Sequence, residues 1–524
     1  MRSKHQTGIN QTGRRLVVLA AALAGIVSAA VFLAVAELAA LLFARGSSPL
    51  LTVGSFVIDI VPRWAKEFAI EAFGSNDKIF LLVSLGVAVV IAAAVAGVLQ
   101  QVRPPLGVVI LVAAGVFAGA TTVTRAGATP LAVVPVILGL AAGVITLILL
   151  GRRLPNRRAA GAEARERDGF DRRGFFRVAG IAAAGAVVVG VGARIINVTT
   201  SSITAVRDAL KLPAPKSTVT IPDGAEVDVD GISPLFTPND TFYRVDTALT
   251  VPTIDPGTWS LTIDGMVGEQ VQISFDELLA MGLDEYVITM TCVSNEVGGS
   301  LLGNAKWLGI PVRDVLKRAM PDSKADMVLS TSVDGFTAST PLESLTDPNL
   351  DAILAVAMNG EPLPLEHGFP VRMVVPGLYG YVSATKWLTK LTVTTFDKDE
   401  AYWTPRGYDA KAPIKLSSRI DTPRIDKQVT PGPAKIAGVA WAQTVGVAKV
   451  EVSIDNGDWQ SVNLSTAIND DTWVQWWMDW EATAGTHYVA VRATDKAGNL
   501  QIEEQAPIAP NGSSGWQRTL VRVG

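Results

Sequence analysis

Residues 287–299, VITMTCVSNEVGG, carry a β-branched run up to Cys292, the single cysteine in a chain of 524 residues. The run reads as a β-strand that ends at the cysteine. A lone cysteine forms no internal disulfide. On these residues alone two readings stay open: a small buried hydrophobe closing a strand, or a thiolate ligand for a soft metal centre.

Composition divides the chain around that strand. Hydrophobic residues make up 49% and charged residues 18%, and the mean hydropathy is +0.32, too apolar for an ordinary soluble protein and indicative of membrane segments. The excess is confined to residues 1–200; residues 205–524 have the mixed composition of folded domains with a proper core. The net charge of −4 is small, and the positive residues cluster beside the apolar runs, so the composition excludes nucleic acid as a partner.

Runs 16–43, 79–99, 106–124 and 130–150 are each long enough to cross a hydrocarbon core, which takes about 20 helical residues. A fifth, 178–196, follows a basic loop. Arg152, Arg153, Arg157, Arg158, Arg165, Arg167, Arg172, Arg173 and Arg177 lie between the fourth and fifth runs, and Arg14 and Arg15 precede the first. The positive-inside rule makes these flanks cytoplasmic. The fifth crossing would then deliver residues 197–524 to the outer face of the cytoplasmic membrane, and segment 50–73 would be an external loop or an interfacial helix. The stretch DRRGFFRVAG (171–180) resembles a twin-arginine export signal, which implies the twin-arginine translocation machinery as a partner and the fifth helix as a retained anchor. His5, His367 and His487 are the three histidines, and all lie outside the apolar runs. A bis-histidine haem in the bundle is therefore not expected, nor a covalent haem without Cys-x-x-Cys-His.

Outside the membrane, 197–235 reads as a proline-punctuated linker. From Phe236 to about Phe396 strands alternate with short helices: TWSLTIDGMV alternates, SFDELLAMG has a serine cap, and PVRDVLKRAM starts a helix at a proline. That pattern is an α+β domain. After KQVTPGPAKIAG the chain turns to short alternating strands joined by Asn-Gly and Gly-Asn turns, the pattern of an immunoglobulin-like β-sandwich. The tryptophans between Trp459 and Trp480 fit core or interdomain packing. The expected division is a four-helix transmembrane region 1–155, a basic loop with the fifth helix 156–200, a catalytic domain 201–428 and a sandwich 429–524.

Four stretches of the central domain belong together: TCVSNE with Cys292 and Asn295; GNAKWLGIPVRDVL from Gly303; VAMNGEPLPLEHGFPVRMVVPGLYGYVSATKWLTKL from Val356; and YWTPRGYDAK from Tyr402. Together they resemble the molybdopterin-binding domain of the sulfite oxidase family, and the sandwich resembles that family's dimerisation domain, over nearly all of residues 236–524. The resemblance implies a molybdenum–molybdopterin cofactor, with Cys292 as the thiolate ligand of the metal. It implies that Arg372 and Lys386 hold the phosphate end and that His367 hydrogen-bonds the cofactor. Asn295, Asn304 and Lys306 are expected along the pterin-lining loops, and Tyr408 beside the metal as a hydrogen-bond donor. It also implies a small-molecule substrate, an external electron carrier or quinol, and a possible homodimer. No glycine-rich fingerprint suggests a flavin or a nicotinamide.

The chain departs from the sulfite-oxidising pattern. A Cys-x-Gly-Asn-Arg-Arg stretch is replaced by Cys292-Val293-Ser294-Asn295-Glu296-Val297, and a Phe-x-Arg-Asn-His motif by FYRVDTAL, with Arg244 out of register. Two cations expected around a dianionic substrate are missing. The expected activity is oxygen-atom transfer on a small substrate, an S-oxide or N-oxide reduced or sulfite oxidised. The alternatives are a methionine sulfoxide reductase and a cofactor-less membrane-attached binding module.

Overall fold

The computed structural model describes residues 3–43, 48–62, 65, 68, 72, 77–124, 130–154, 172–196 and 199–524. It separates into two compact units. One comprises residues 1–200 with 247–250, the other 201–246 with 251–524. Of the expected basic loop, residues 155–171 lie outside the described residues.

In the first unit four helices are long and apolar enough to cross a membrane: Arg15–Ala40, Ile79–Val102, Leu106–Val123 and Leu131–Gly151. Their packing relies on small residues. A Cβ on Gly25 would meet the Ala93 carbonyl oxygen at 1.9 Å, and one on Gly97 would meet that of Ala21 at 2.0 Å, so the first two helices approach backbone to backbone, as glycine and alanine allow. The run at 178–196 is part of a helix, Arg172–Ile196; its side chains beyond residue 187 lie outside the described set. Phe175, from the arginine-rich motif, is fully buried in a cluster with Ala20, Ala24 and Leu150. The segment from 50 onward is helical over Pro49–Ile60, and it packs within the unit: Thr52 Oγ1 lies 3.2 Å from Thr122 Oγ1, and the Phe56 and Phe117 rings meet edge to face at 5.3 Å.

The second unit begins with two sheets, one mixed and one antiparallel. Strands β1 (Ser260–Gly265), β2 (Val271–Ser274), β3 (Asp284–Thr291), β4 (Leu302–Pro311), β5 (Met327–Ser332), β6 (Thr337–Pro341), β7 (Ile353–Met358), β8 (Glu361–Pro362), β9 (Arg372–Val374) and β10 (Leu388–Thr394) form two sheets. One has the order β2-β1-β10-β5-β6 and the other β3-β4-β7-β8, with β9 also on β7. Only β1 and β10 run parallel among these pairs. The helices read from the sequence are present. Ser274 and Glu277 form a reciprocal capping box at helix Phe275–Ala280, and helix Val312–Lys317 starts directly after Pro311. Each buries its apolar side in the core with Leu261, Ile263, Leu354 and Leu391.

Strands β11 (Ser417–Thr422), β12 (Gly432–Trp441), β13 (Val447–Ile454), β14 (Gln460–Ser461), β15 (Asn463–Leu464), β16 (Val474–Ala482), β17 (Gly485–Asp495) and β18 (Gln517–Val523) make two antiparallel four-stranded sheets, β11-β12-β16-β15 and β14-β13-β17-β18. Their inner faces share one core containing Ile436, Val452, Trp476, Val491 and Val521, which makes the C-terminal region a two-sheet sandwich. Of the clustered tryptophans, Trp476 is fully buried there. Trp473 faces the other way, its indole N–H donating to the Leu235 carbonyl at 3.1 Å.

Two connections fix the β1–β10 sheets to the sandwich. β3 is an edge strand, and an uncovered edge exposes unpaired backbone groups. Here the sandwich covers it: Thr289 N–H donates to Asp471 O at 3.0 Å, Asn469 Nδ2 donates to Val287 O at 3.0 Å, and Gln443 Nε2 donates to Thr289 O. The stretch expected as a linker is the second connection. Glu285 N–H donates to Ser217 O at 3.0 Å and Thr466 N–H to Gly224 O at 2.9 Å; Val227 N–H reaches Gln475 Oε1 at 2.7 Å. The segment therefore straps both layers. Asn304 locks it. Its Nδ2 donates to Leu235 O at 2.9 Å, and its Oδ1 accepts from Thr289 Oγ1 at 3.0 Å.

Replacing Asn304 by leucine would strip a donor from the buried Leu235 carbonyl and an acceptor from Thr289. Leaving such groups short of partners costs about 1–3 kcal/mol. Thermal unfolding of the detergent-purified chain is expected to show the unit of residues 201–524 melting at a lower temperature in Asn304→Leu, with no change in the membrane helices' own transition.

Candidate functional site

Cys292 sits one residue past β3. The residue is 8% exposed; its backbone N–H donates to Leu301 O at 2.9 Å, and its Sγ accepts from Ser294 N–H at 3.4 Å. Burial pushes the thiol above its ordinary range, and the Ser294 N–H opposes that in part. A thiol held this way becomes a thiolate only beside a strong positive charge, which a soft metal supplies. The loop that follows is closed from within and from the sandwich. Asn295 Oδ1 accepts from Leu301 N–H at 2.8 Å, Ser513 Oγ donates to Asn295 O at 2.6 Å, and Arg419 Nη1 donates to Gly299 O at 2.8 Å. Asn295 thus shapes the cysteine loop. Glu296, the acidic residue in place of an arginine, is exposed to solvent.

A cationic cradle is built from three other segments. Arg372, at the start of β9, is 5% exposed; its Nη1 donates to His367 O at 3.1 Å, and its guanidinium lies 5.3 Å from the Trp307 ring centre. Among the described residues no carboxylate pairs with it, and burial holds its pKa down to about 10. Lys386 Nζ donates to Asp246 Oδ2 at 2.8 Å and to Glu366 O at 3.0 Å; burial, opposed by Asp246, holds it at about 8. His367 is 3% exposed and donates from Nε2 to the Asn239 carbonyl at 2.9 Å, which leaves Nδ1 as the acceptor. Burial first, then Arg372, lowers its pKa to about 4.

The backbone explains why glycine flanks that histidine. Gly368 has φ of +111°, and a Cβ there would stand 3.1 Å from both Arg372 Cβ and Lys386 Cα. Only glycine adopts that conformation while letting the two cationic segments close in. Trp387, next to Lys386, also has a positive φ, 51°; it is held there by full burial and by its indole N–H donating to Leu365 O at 2.8 Å. Such a conformation persists only where its surroundings over-determine it.

Tyr408 lies in an aromatic wall with Val293, Tyr379, Tyr381 and Trp403, its ring 5.5 Å from Tyr381 and 5.3 Å from Trp403. Val293 is the residue after the cysteine, so the wall adjoins the Cys292 loop. The remaining two expected residues are placed elsewhere. Asn304 is fully buried in the sheet and spent on the strap. Lys306 points its Nζ at Glu285, 3.7 Å away, with its side chain 33% exposed. Neither joins the cradle: two apart on β4, they share one face of the strand and meet Thr289 and Glu285 of β3 there.

Sequence reading missed two residues just beyond the strap. Asp246 lies between Lys386 and Arg244, whose Nε is 2.9 Å from the same carboxylate oxygen. Tyr243 is half-buried and lies within electrostatic reach of both Cys292 and Arg372. Their only signal was the phrase FYRVDT itself, read for the histidine and arginine it lacked.

Residues 248–403 match the family described as oxidoreductase molybdopterin binding domain. Around that molybdopterin-binding oxidoreductase domain the chain is similar to sulfite oxidases. It is 30% identical to the mitochondrial sulfite oxidase of Mus musculus over 338 residues, 55% of this chain and 61% of that protein. It is 27% identical to the sulfite oxidase of Arabidopsis thaliana over 359 residues, 56% of this chain and 90% of that one. The chain thus spans 61% of the length of the mammalian relative. Among solved structures, the sulfane dehydrogenase SoxCD from Paracoccus pantotrophus has the same fold, with a TM-score of 0.50 and 21% identity over 58% of this chain and 86% of that one. For the family's cofactor the donor set fits: a buried thiol offers the soft ligand, and a buried guanidinium without a carboxylate, beside a lysine, suits a phosphate.

His367 carries a measurable sign. Its folded pKa of about 4 lies below its ordinary 6.5, so the stability it contributes is complete above pH 6.5 and is lost as pH falls towards 4, by on the order of 2–3 kcal/mol. In cofactor-free protein, the stability gap between wild type and His367→Gln is expected to shrink over that window. A gap independent of pH would contradict the buried neutral imidazole.

Proposed function

We propose that the chain is a membrane-anchored molybdenum-cofactor oxidoreductase that transfers an oxygen atom on a small neutral S-oxide or N-oxide. The observation that carries this reading is the convergence of a buried thiol and a buried, carboxylate-free guanidinium in one compact unit. When bound, the cofactor supplies two-electron redox chemistry coupled to oxygen-atom transfer. The chain's own residues do the rest. Cys292 would hold the metal, and Arg372 and Lys386 the phosphate end; His367, with Nε2 committed to Asn239, would accept a proton at Nδ1. Asn295 keeps the cysteine loop closed. Tyr408, in the aromatic wall beside Val293, would donate a hydrogen bond at the metal end.

The choice of a neutral substrate is supported by charge. A small dianion in a low-dielectric site needs opposed cations. Glu296 is exposed, and Arg244 is already committed to Asp246 at 2.9 Å. Methionine sulfoxide is the representative substrate of this reading, sulfite its competitor.

Around this centre we place the catalytic unit on the outer face of the membrane, reached through a fifth span and a twin-arginine route, with division near residues 155, 200 and 428. The arginines flanking the apolar runs support that topology. The sandwich is read as immunoglobulin-like and as the surface for a homodimer, and electrons as passing to or from a separate carrier protein or a quinol.

The deciding experiment uses the full chain from a host that makes the cofactor. Wild type is expected to hold stoichiometric molybdenum and pterin, and Cys292→Ser to keep pterin while losing the thiolate-to-metal absorption band. With dye donors and acceptors, kcat/KM for methionine sulfoxide is expected to exceed that for sulfite by about tenfold or more, a transition-state difference of ~1.4 kcal/mol. Folded wild type without pterin would leave a membrane-attached binding module; the reverse substrate order would return sulfite as the substrate.

A further inference from the structure

His487 stands where the turn from β16 into β17 closes, and its ring is held from both sides. Nδ1 lies 2.7 Å from Asp455 Oδ2, just past β13, and Nε2 lies 2.8 Å from the Thr483 carbonyl oxygen. Asp455 is itself fixed: its other carboxylate oxygen accepts from Tyr488 N–H at 2.8 Å, and its own N–H donates to Tyr488 O at 2.7 Å. Both ring nitrogens therefore face acceptors. An imidazole satisfies two acceptors only when both nitrogens carry protons, so this geometry selects the imidazolium.

A second partner lies beside the same nitrogen. Thr483 Oγ1 is 3.3 Å from Nε2. In a neutral ring Nδ1–H keeps its bond to Asp455 and Nε2 becomes an acceptor. The hydroxyl then donates to it, while the Thr483 carbonyl, set against a lone pair, is repelled. The turn thus has two hydrogen-bond arrangements, and one proton chooses between them. Asp455 first and the Thr483 carbonyl second favour the charged ring and hold its pKa above the ordinary 6.5. The elements around it also carry Asp458, Asp479, Glu481, Tyr488, Arg518 and Arg522; among the described residues Asp455 alone lies within ion-pair distance of the ring.

The turn borders a groove. The Trp480 and His487 rings meet edge to face at 5.2 Å. Trp480 and Glu481, with Val229, Arg424, Pro433 and Lys435, line a groove of about 670 Å³. Glu481 and Ala482 pair with Pro433 and Gly432 as the last rungs of the β12–β16 ladder, and Thr483 follows directly. Its carbonyl is the next anchor of that wall.

We propose that His487 is a proton-operated clasp on the β16–β17 turn: the charged ring ties Thr483 to Asp455 and fixes the Trp480–Glu481 wall of the groove, and the neutral ring releases it. A group whose folded pKa is raised contributes stability that is complete below its unfolded value and is lost as pH rises through the folded one. The clasp is therefore shut in mild acid and opens towards alkali. Its operation needs no cofactor.

The test uses the full chain in detergent with isotope-labelled histidine, where His5, His367 and His487 alone give signals and His487→Gln assigns the one of interest. Ring resonances read the His487 midpoint. Amide hydrogen exchange over residues 479–488, corrected for its intrinsic pH dependence, reads the opening of the turn. The expected result is a midpoint above 6.5 with a several-fold loss of protection at that same midpoint, and level protection over the same range in His487→Gln. In Asp455→Asn the histidine midpoint is expected to fall towards 6.5, and the loss of protection to move down with it. Protection in wild type that stays level while His487 titrates overturns the proposal, as does a wild-type midpoint at or below 6.5, or a loss of protection that keeps its wild-type pH in Asp455→Asn. Should His487→Gln fail to fold, Asp455→Asn assigns the signal by its shift and decides the question alone.

Discussion

Thr289 is where three parts of the chain are tied together. Its N–H goes to Asp471 and its carbonyl accepts from Gln443. Its hydroxyl donates to Asn304 and accepts from Trp473 N–H at 2.8 Å. All four partners lie on other segments, and the cysteine is three residues further along the chain, just past the end of the strand. An edge strand without such cover would leave its register and its end free to fray. With it, the position of Cys292 is set by the sandwich and by the strap as much as by its own sheet.

Electrostatics at the opposite end follows a different rule. Lys386 and Arg244 share one carboxylate, Asp246, and Arg372 pairs with none among the described residues. Buried cations in excess are destabilising unless matched, so this cluster gains most from a bound anion. Asp246 restrains the excess: it orients Lys386 while removing Arg244 from the pool of free donors. The site is consequently polar and cationic at one end, soft and aromatic at the other.

Much of this was legible in the sequence because the determining residues leave short-range marks. The glycine beside His367 marks a positive φ, the Ser274 and Glu277 spacing marks a cap, and the lone cysteine ends a β-branched run. The sandwich's alternation was equally plain. What was not legible came from long-range partners. The strap has neither helical nor strand periodicity, so a segment bonded at every few residues reads as a linker; its order comes from groups far along the chain, such as Gln475. Asn304 looked like a lining residue because an asparagine in a cofactor-lining loop and one buried in a ladder share the same letter. Only the location of Leu235 and Thr289 tells them apart.

The ties around the cysteine also have an order in time. Gln443 bonds a residue 154 positions earlier, and Ser513 bonds one 218 positions earlier. While the chain is being made, strand β3 and its cysteine emerge well before the groups that hold them. The seat for a prosthetic group is therefore finished by segments synthesised long after the strand itself, so a chain with its cargo in place is by construction one in which those distant segments have already folded back.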